Sequence, residues 1–289
     1  VYRLSGLQEG MLFHELYGEE PGAYTEQYTA EVGDIDPSVF RESWQELSGR
    51  HSILRSGFDY ESLGVPVQFE LSRVEVPFEE VDLSGMGRVE RDEAVRVYRD
   101  GERLRGIDLG QAPAMRIGLL KTGIGSYLMV WTFHHIILDG WSVSLLLGEL
   151  REVYGALASG KAPVPVADDR YEDYIRYIEG GDRHAEEGFW RDYLSGLEGP
   201  VLLPFIGNVG ERNRGGGNYV TERCPLDSDL SGAIRRYVQA ERITVNTLMQ
   251  GAWAYLLHRY TGRRDIVYGV TVSGRPEDLS GVEQRIGLY

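Results

Sequence analysis

The chain has 289 residues, of which 42 % are hydrophobic and 26 % charged, ordinary proportions for a folded protein that exclude wholesale disorder and a collagen-like repeat. A formal net charge of −15 opposes nonspecific contact with nucleic acid or an anionic membrane, since both demand a positive surface. One cysteine, Cys224, excludes an internal disulfide and a multi-thiolate metal centre, and no window holds the run of about 20 apolar residues that a membrane span requires.

The predicted elements alternate between strand and helix. Residues 24–32 read as a strand. Asp36-Pro37 reads as a helix start, with Asp capping and Pro in the first turn, and Phe40, Trp44 and Leu47 then recur on one face up to Gly49. Residues 67–71 read as a second strand, and the charge-rich residues 88–105 as a helix with a narrow apolar stripe. Residues 127–132 form a short apolar run of strand type. Beyond them Val143, Leu146, Leu147, Leu150, Val153, Tyr154 and Leu157 recur at helical spacing, so residues 134–140 are a loop between a strand and a helix that begins near Trp141 or Ser142. Ser159-Gly-Lys-Ala-Pro-Val-Pro-Val reads as a connection between two lobes, residues 1–165 and 166–289. The glycines of residues 207–218, with Gly215-Gly216-Gly217 in sequence, read as a loop, and the Gly-Lys-Ser/Thr ending of a phosphate loop is absent. Asp227 or Ser228 caps a helix to Ala240 and Asn246 another to Tyr260, on which Trp253 and Tyr255 read as core. Residues 266–272 read as a buried strand. The mixture predicts an α/β (α+β) architecture.

The chemistry concentrates in His134-His135-Ile-Ile-Leu-Asp139-Gly140-Trp-Ser142. Free backbone N–H groups at the start of the helix point back toward this loop with the positive end of the helix dipole. Histidine suits proton transfer near neutral pH, and Gly140 allows close approach to the backbone. A base beside an oxyanion site makes an acyl-transfer centre. The competing reading makes the histidines a strand end, one core and one surface, with Asp139 simply capping the next helix. Adjacent histidines point in different directions and no His-Glu-x-x-His spacing is present, so no metal is expected. Cys224, followed by Pro225 and without a nearby histidine, reads as an inert thiol.

This ordered run resembles the His-His-x-x-x-Asp-Gly motif of the condensation domains of nonribosomal peptide synthetases. Leu4-Ser-Gly-Leu-Gln8-Glu-Gly10-Met-Leu-Phe-His14 is similar to that family's opening motif, and Arg50-His51-Ser-Ile-Leu54-Arg55-Ser-Gly-Phe58 to its second. Tyr171-Glu-Asp173-Tyr174 is similar to the fourth, and Val272-Ser-Gly-Arg275-Pro276 with Ile286-Gly287-Leu-Tyr289 to the segment entering the fifth. The resemblance implies two chloramphenicol-acetyltransferase-like lobes, the second cut short because the family pattern continues through segments that this sequence lacks. It implies amide formation between a donor thioester and the amine of an acceptor aminoacyl thioester. The alternatives are a noncatalytic carrier-docking module and a stand-alone acyltransferase using coenzyme A thioesters.

Carried over residue by residue, the resemblance sets His135 beside the attacking amine and the backbone N–H of Gly140 at the oxyanion. His134 supports the loop, and Asp139 pairs with Arg55. Gln8, Met11, Trp141, Ser142, Ser273 and Arg275 become substrate-channel candidates, while His14 and His51 acquire no mechanism. The resemblance also implies that no cofactor is bound and that substrates arrive on the phosphopantetheine of donor and acceptor carrier domains. An adjacent adenylation domain follows in the same way, whereas a cytoplasmic location is expected from the first residues, which lack the layout of a secretion signal, and the net charge of −15 leaves no nucleic-acid or membrane partner expected. The opening motif and Leu138-Asp-Gly-Trp141 resemble the subgroup whose donors end in a D-residue.

Overall fold

The computed structural model describes residues 1–17, 22–165, 169–197, 199, 201–205 and 222–289. They form two compact units, Val1–Gly181 with Ser273–Tyr289, and Asp182–Val272. The expected division at 165/166 thus falls inside the first unit, which also takes back the final segment.

The first unit opens with β1 (Tyr2–Arg3), α1 (Gly6–Tyr17), β2 (Thr25–Val32) and α2 (Pro37–Arg50). Asp36 starts α2 as its sequence predicts: Oδ1 accepts the N–H groups of Ser38 at 2.8 Å and Val39 at 3.3 Å, and Pro37 occupies the first turn. A 3-10 turn, Ser52–Arg55, leads into β3 (Ser56–Asp59), β4 (Val67–Glu70), β5 (Phe78–Asp82) and α3 (Arg88–Leu104). Then β6 (Met115–Gly123) and β7 (Ser126–His134) form a hairpin whose turn places Gly125 at φ 63°, a left-handed value that favours glycine. The 3-10 turn His135–Ile137, α4 (Gly140–Ala158), α5 (Glu172–Glu179) and a last 3-10 turn, Val282–Gln284, complete the unit.

Four strands make a sheet in the order β2-β7-β6-β5, antiparallel except for the parallel pair β5 and β6. A smaller antiparallel sheet runs β1-β4-β3. On one side of the larger sheet Met129, Trp131 and Phe133 of β7 join the main core with Trp44 of α2 and Leu146 and Leu150 of α4, the Trp44 and Trp131 rings lying 4.9 Å apart. On the other side Leu120 and Val130 pack with Val95 and Tyr98 of α3. Burial on both faces explains why β7 reads as a continuous apolar run rather than an alternating one. Truncating either fully buried tryptophan to alanine would cost about 3–5 kcal/mol. The final segment feeds Val282, Ile286, Leu288 and Tyr289 into the same core.

The second unit holds α6 (Arg183–Tyr193), α7 (Ser228–Glu241) and α8 (Val245–Thr261). Asp227 caps α7 through Leu230 N–H at 2.7 Å, as expected. Thr244 rather than Asn246 caps α8, its hydroxyl accepting Thr247 N–H at 3.0 Å. Among the described residues of this unit the buried hydrophobics are Val238 and Leu257. Trp253 and Tyr255, expected in a core, are 45 % and 63 % exposed, because no described element covers that side of α8. Residues 266–272 form no strand, since among the described residues none pairs with their backbone. The glycine-rich residues 207–218 lie outside the described residues.

Candidate active site

β7 delivers His134 as its last residue and the following 3-10 turn begins at His135, so the two rings leave the chain in different directions. His134 is fully buried. Its Nδ1 accepts the Ile136 N–H at 3.0 Å, which directs Nε2 toward Glu15, 3.6 Å away. The His134 ring holds the Glu15 carboxyl below the usual carboxylate range, helped by the Gly22 N–H and opposed by burial.

His135 is only partly buried, and its backbone N–H donates to Tyr24 O at 2.8 Å. Its Nδ1 lies 2.6 Å from Leu138 O. A carbonyl only accepts, so Nδ1 carries the hydrogen and Nε2 of the neutral ring keeps its lone pair. The ring lines a cavity of ≈ 280 Å³ with Leu138, Gly140 and Val143, facing Glu26 and Tyr28 of β2.

Asp139 caps α4, its Oδ1 accepting the Ser142 N–H at 2.6 Å. The N–H groups of Gly140 and Trp141 precede that of Val143, the first to donate within the helix, to Asp139 O, and they sit at the positive end of the helix dipole. A Cβ placed on Gly140 would meet no atom within 4 Å, and Gly140 itself lines the cavity. His135 and Gly140, the first residue of α4, therefore border one cavity.

The expected partner of Asp139 is corrected: it pairs with Arg275, not Arg55. Arg275 Nη2 is 3.2 Å from both Asp139 oxygens and 2.9 Å from Ser142 Oγ, while Nη1 donates to the carbonyls of Val282 at 2.5 Å and Arg285 at 2.8 Å. The side chain is 3 % exposed, and its guanidinium lies 4.2 Å from the Tyr289 ring centroid. Arg55 is spent elsewhere, on Glu70 at 2.8 Å and on the carbonyls of Ser48, Gly49 and Leu71.

The final segment backs the loop. Gly287 O accepts from Asp139 N–H at 2.9 Å and from Ser142 Oγ at 2.8 Å, and Gly287 N–H donates to Ser142 Oγ at 3.0 Å. Trp141 Nε1 donates to Glu283 O at 3.0 Å. From the other side Gln8 of α1 donates to Ile136 O at 3.1 Å and bonds Gln68. Gln8, Met11, Ser142 and Arg275 are thus interior supports, a correction to their reading as channel residues, because each side chain is buried and three of them are consumed by internal hydrogen bonds. Trp141 and Ser273 are exposed. The supporting roles of Glu15, Glu283 and Gly287 are absent from the sequence reading; only Gly287 carried a signal, as part of Ile286-Gly287. Among the described residues no group of three or more His, Cys, Asp or Glu side chains is arranged to hold a metal ion, and no helix is long and apolar enough to cross a membrane. Cys224 is exposed.

Comparison with known proteins agrees with this geometry. A family model described as "Condensation domain" matches residues 1–289. One of the linear gramicidin synthase proteins of Brevibacillus parabrevis is 37 % identical over 297 residues, covering 100 % of this chain and 4 % of that protein. Bacitracin synthase 1 of Bacillus licheniformis is 32 % identical over 292 residues, covering 100 % of this chain and 6 % of that protein. The chain therefore spans a small fraction of the length of these relatives. The first condensation domain of the calcium-dependent antibiotic synthetase, solved with a substrate analogue, superposes with a TM-score of 0.74 at 24 % identity, covering 100 % of this chain and 68 % of that one. That match shows the fold, the chloramphenicol-acetyltransferase-like arrangement that the sequence motifs imply.

Proposed function

Because the chain belongs to the condensation-domain family, we propose that it forms an amide between a donor acyl thioester and the α-amine of an acceptor aminoacyl thioester. Each substrate arrives on the phosphopantetheine arm of a carrier domain in a nonribosomal peptide synthetase. The observation that carries this reading is that His135, its ring oriented by Leu138 O, and Gly140 at the start of α4 line one cavity.

A free α-amine has a pKa of about 7.7–8.0, so an appreciable fraction is neutral at pH 7 and His135 has little proton stripping to do before attack. Nε2 accepts a hydrogen bond from the amine and orients its lone pair toward the donor carbonyl. As the C–N bond forms, the amine's excess proton passes to Nε2 and the oxyanion takes the Gly140 N–H, at the positive end of α4. The tetrahedral adduct then expels the donor thiolate, which receives the proton and leaves as the free thiol. Proton transfer of this kind contributes about 10²–10⁴-fold, and one oxyanion donor about 10²–10³-fold.

Trp141 and Ser273 are the candidates to meet substrate, and the opening motif supports donors ending in a D-residue. The synthetase relatives support carrier and adenylation domains as partners. The test compares one donor acyl group presented on a carrier domain and as its coenzyme A thioester. Faster amide formation from the carrier supports the reading, and turnover of the coenzyme A thioester alone would make the chain a stand-alone acyltransferase.

A further inference from the structure

His51 belongs to a sequence motif but lies away from the cavity, buried to 1 % exposure between two carboxylates. Nε2 is 2.9 Å from Glu149 Oε2 of α4, and Nδ1 is 3.2 Å from Asp169 Oδ2. Carboxylates only accept, so both contacts are hydrogen bonds only when both ring nitrogens carry hydrogen, which is the imidazolium. Burial alone would depress this group, but the hydrogen bonds to Asp169 and Glu149 and the charge of both carboxylates raise it above its ordinary value. Among the described residues, the other charged groups around it are Arg50 of α2, 4.0 Å from Glu149 and 3.1 Å from Glu46, and Arg285, 3.9 Å from Asp169 and 3.1 Å from Asp173.

Asp169 Oδ2 also accepts the Ile286 N–H at 2.7 Å. The next residue, Gly287, holds Asp139 and Ser142 through its carbonyl and amide. An unbroken path of hydrogen bonds and one peptide unit therefore runs from His51 through Asp169 and residues 286–287 to the Asp139-Gly140 backbone beside His135.

We propose that His51, clamped between Glu149 and Asp169, is a positioning residue that sets the Asp139-Gly140 backbone for the reaction at His135; the inference rests on that reaction. Its effect is complete below the ordinary histidine pKa of about 6.5 and is lost as the pH rises through the higher folded value. Above that value one ring nitrogen loses its hydrogen; the shorter contact, to Glu149 at 2.9 Å, keeps the one that remains, so the lone pair faces Asp169, which loses the partner that steadies its grip on Ile286.

The test is a pH profile of kcat for wild type, His51→Gln, His51→Arg and Asp169→Asn. Wild type should show an alkaline fall in kcat, opposite in sense to the rising neutral fraction of the amine. His51→Gln should lose that fall, with kcat lowered about tenfold or more below it and KM little changed. His51→Arg should restore part of kcat without the fall, and Asp169→Asn should move the fall to lower pH. An alkaline limb that is the same in all four proteins would overturn the proposal, as would wild-type kcat in His51→Gln. Independently of turnover, the wild-type Asp139 amide resonance should titrate together with the His51 ring in nuclear magnetic resonance spectra. An Asp139 amide that ignores His51 overturns the inference alone, whereas absence of product from wild type overturns the functional reading.

Discussion

Replacing Arg275 by alanine removes the cation from Asp139 and strips a donor from the carbonyls of Val282 and Arg285. Breaking a buried ion pair from one side costs about 3–5 kcal/mol because the other charge stays behind. Asp139 is 16 % exposed and keeps the Ser142 N–H, so the lower end, about 3 kcal/mol, is expected for the charge, with about 1 kcal/mol for each abandoned carbonyl that water does not reach. The assay is a double-mutant cycle with Asp139→Asn, read by urea unfolding. Coupling between Arg275 and Asp139 should reach about 1–3 kcal/mol, whereas Arg55→Ala and Asp139→Asn should add to within about 0.5 kcal/mol. Arg55→Ala should still destabilise, through Glu70 and the three carbonyls it holds. Coupling of Arg55 to Asp139 as large as that of Arg275 would refute the assignment.

Two further perturbations probe the supports of the loop. A Cβ at Gly287 would collide with the ring of Tyr171, a fully buried residue whose hydroxyl bonds Leu288 O. Gly287→Ala should therefore destabilise by about 1–3 kcal/mol and lower turnover by displacing the contacts to Asp139 and Ser142, and an unchanged melting temperature and kcat would contradict this. Glu15 carries a depressed folded pKa, caused first by His134, so its contribution is complete above the ordinary carboxylate value of about 4.3 and is lost as the pH falls through the lower folded value. The stability gap between wild type and Glu15→Gln should accordingly narrow as the pH drops below about 4, and a gap independent of pH in denaturant unfolding would count against the His134 contact.

What could be read from the chain was local. Asp36-Pro37 announces α2, and the apolar spacing from Val143 to Leu157 announces α4, because a cap and a 3.6-residue period are written within a few neighbouring residues. The strand-loop-helix that carries His135 follows from the same signals, and both readings of Asp139 are partly right, since it caps α4 and also meets an arginine. The arginine itself was misassigned because Asp139 and Arg275 are 136 residues apart, and no spacing rule links positions so distant. The same holds for Gly287, whose work is done by its backbone and by the absence of a side chain. Trp253 and Tyr255 failed as core residues because periodicity marks an apolar face without saying what covers it. Residues 266–272 have strand composition, but a strand exists only with a partner for its N–H and C=O groups.

The central claim is that His135 serves amide formation between two carrier-bound substrates. It is tested most directly by mass spectrometry of the carrier-bound products formed when donor-loaded and acceptor-loaded carrier domains are mixed with this chain or with its His135→Ala variant. The account predicts a condensed product on the acceptor carrier whose rate of formation falls by about 10²-fold or more in the variant. Product formed equally fast by both proteins would contradict it.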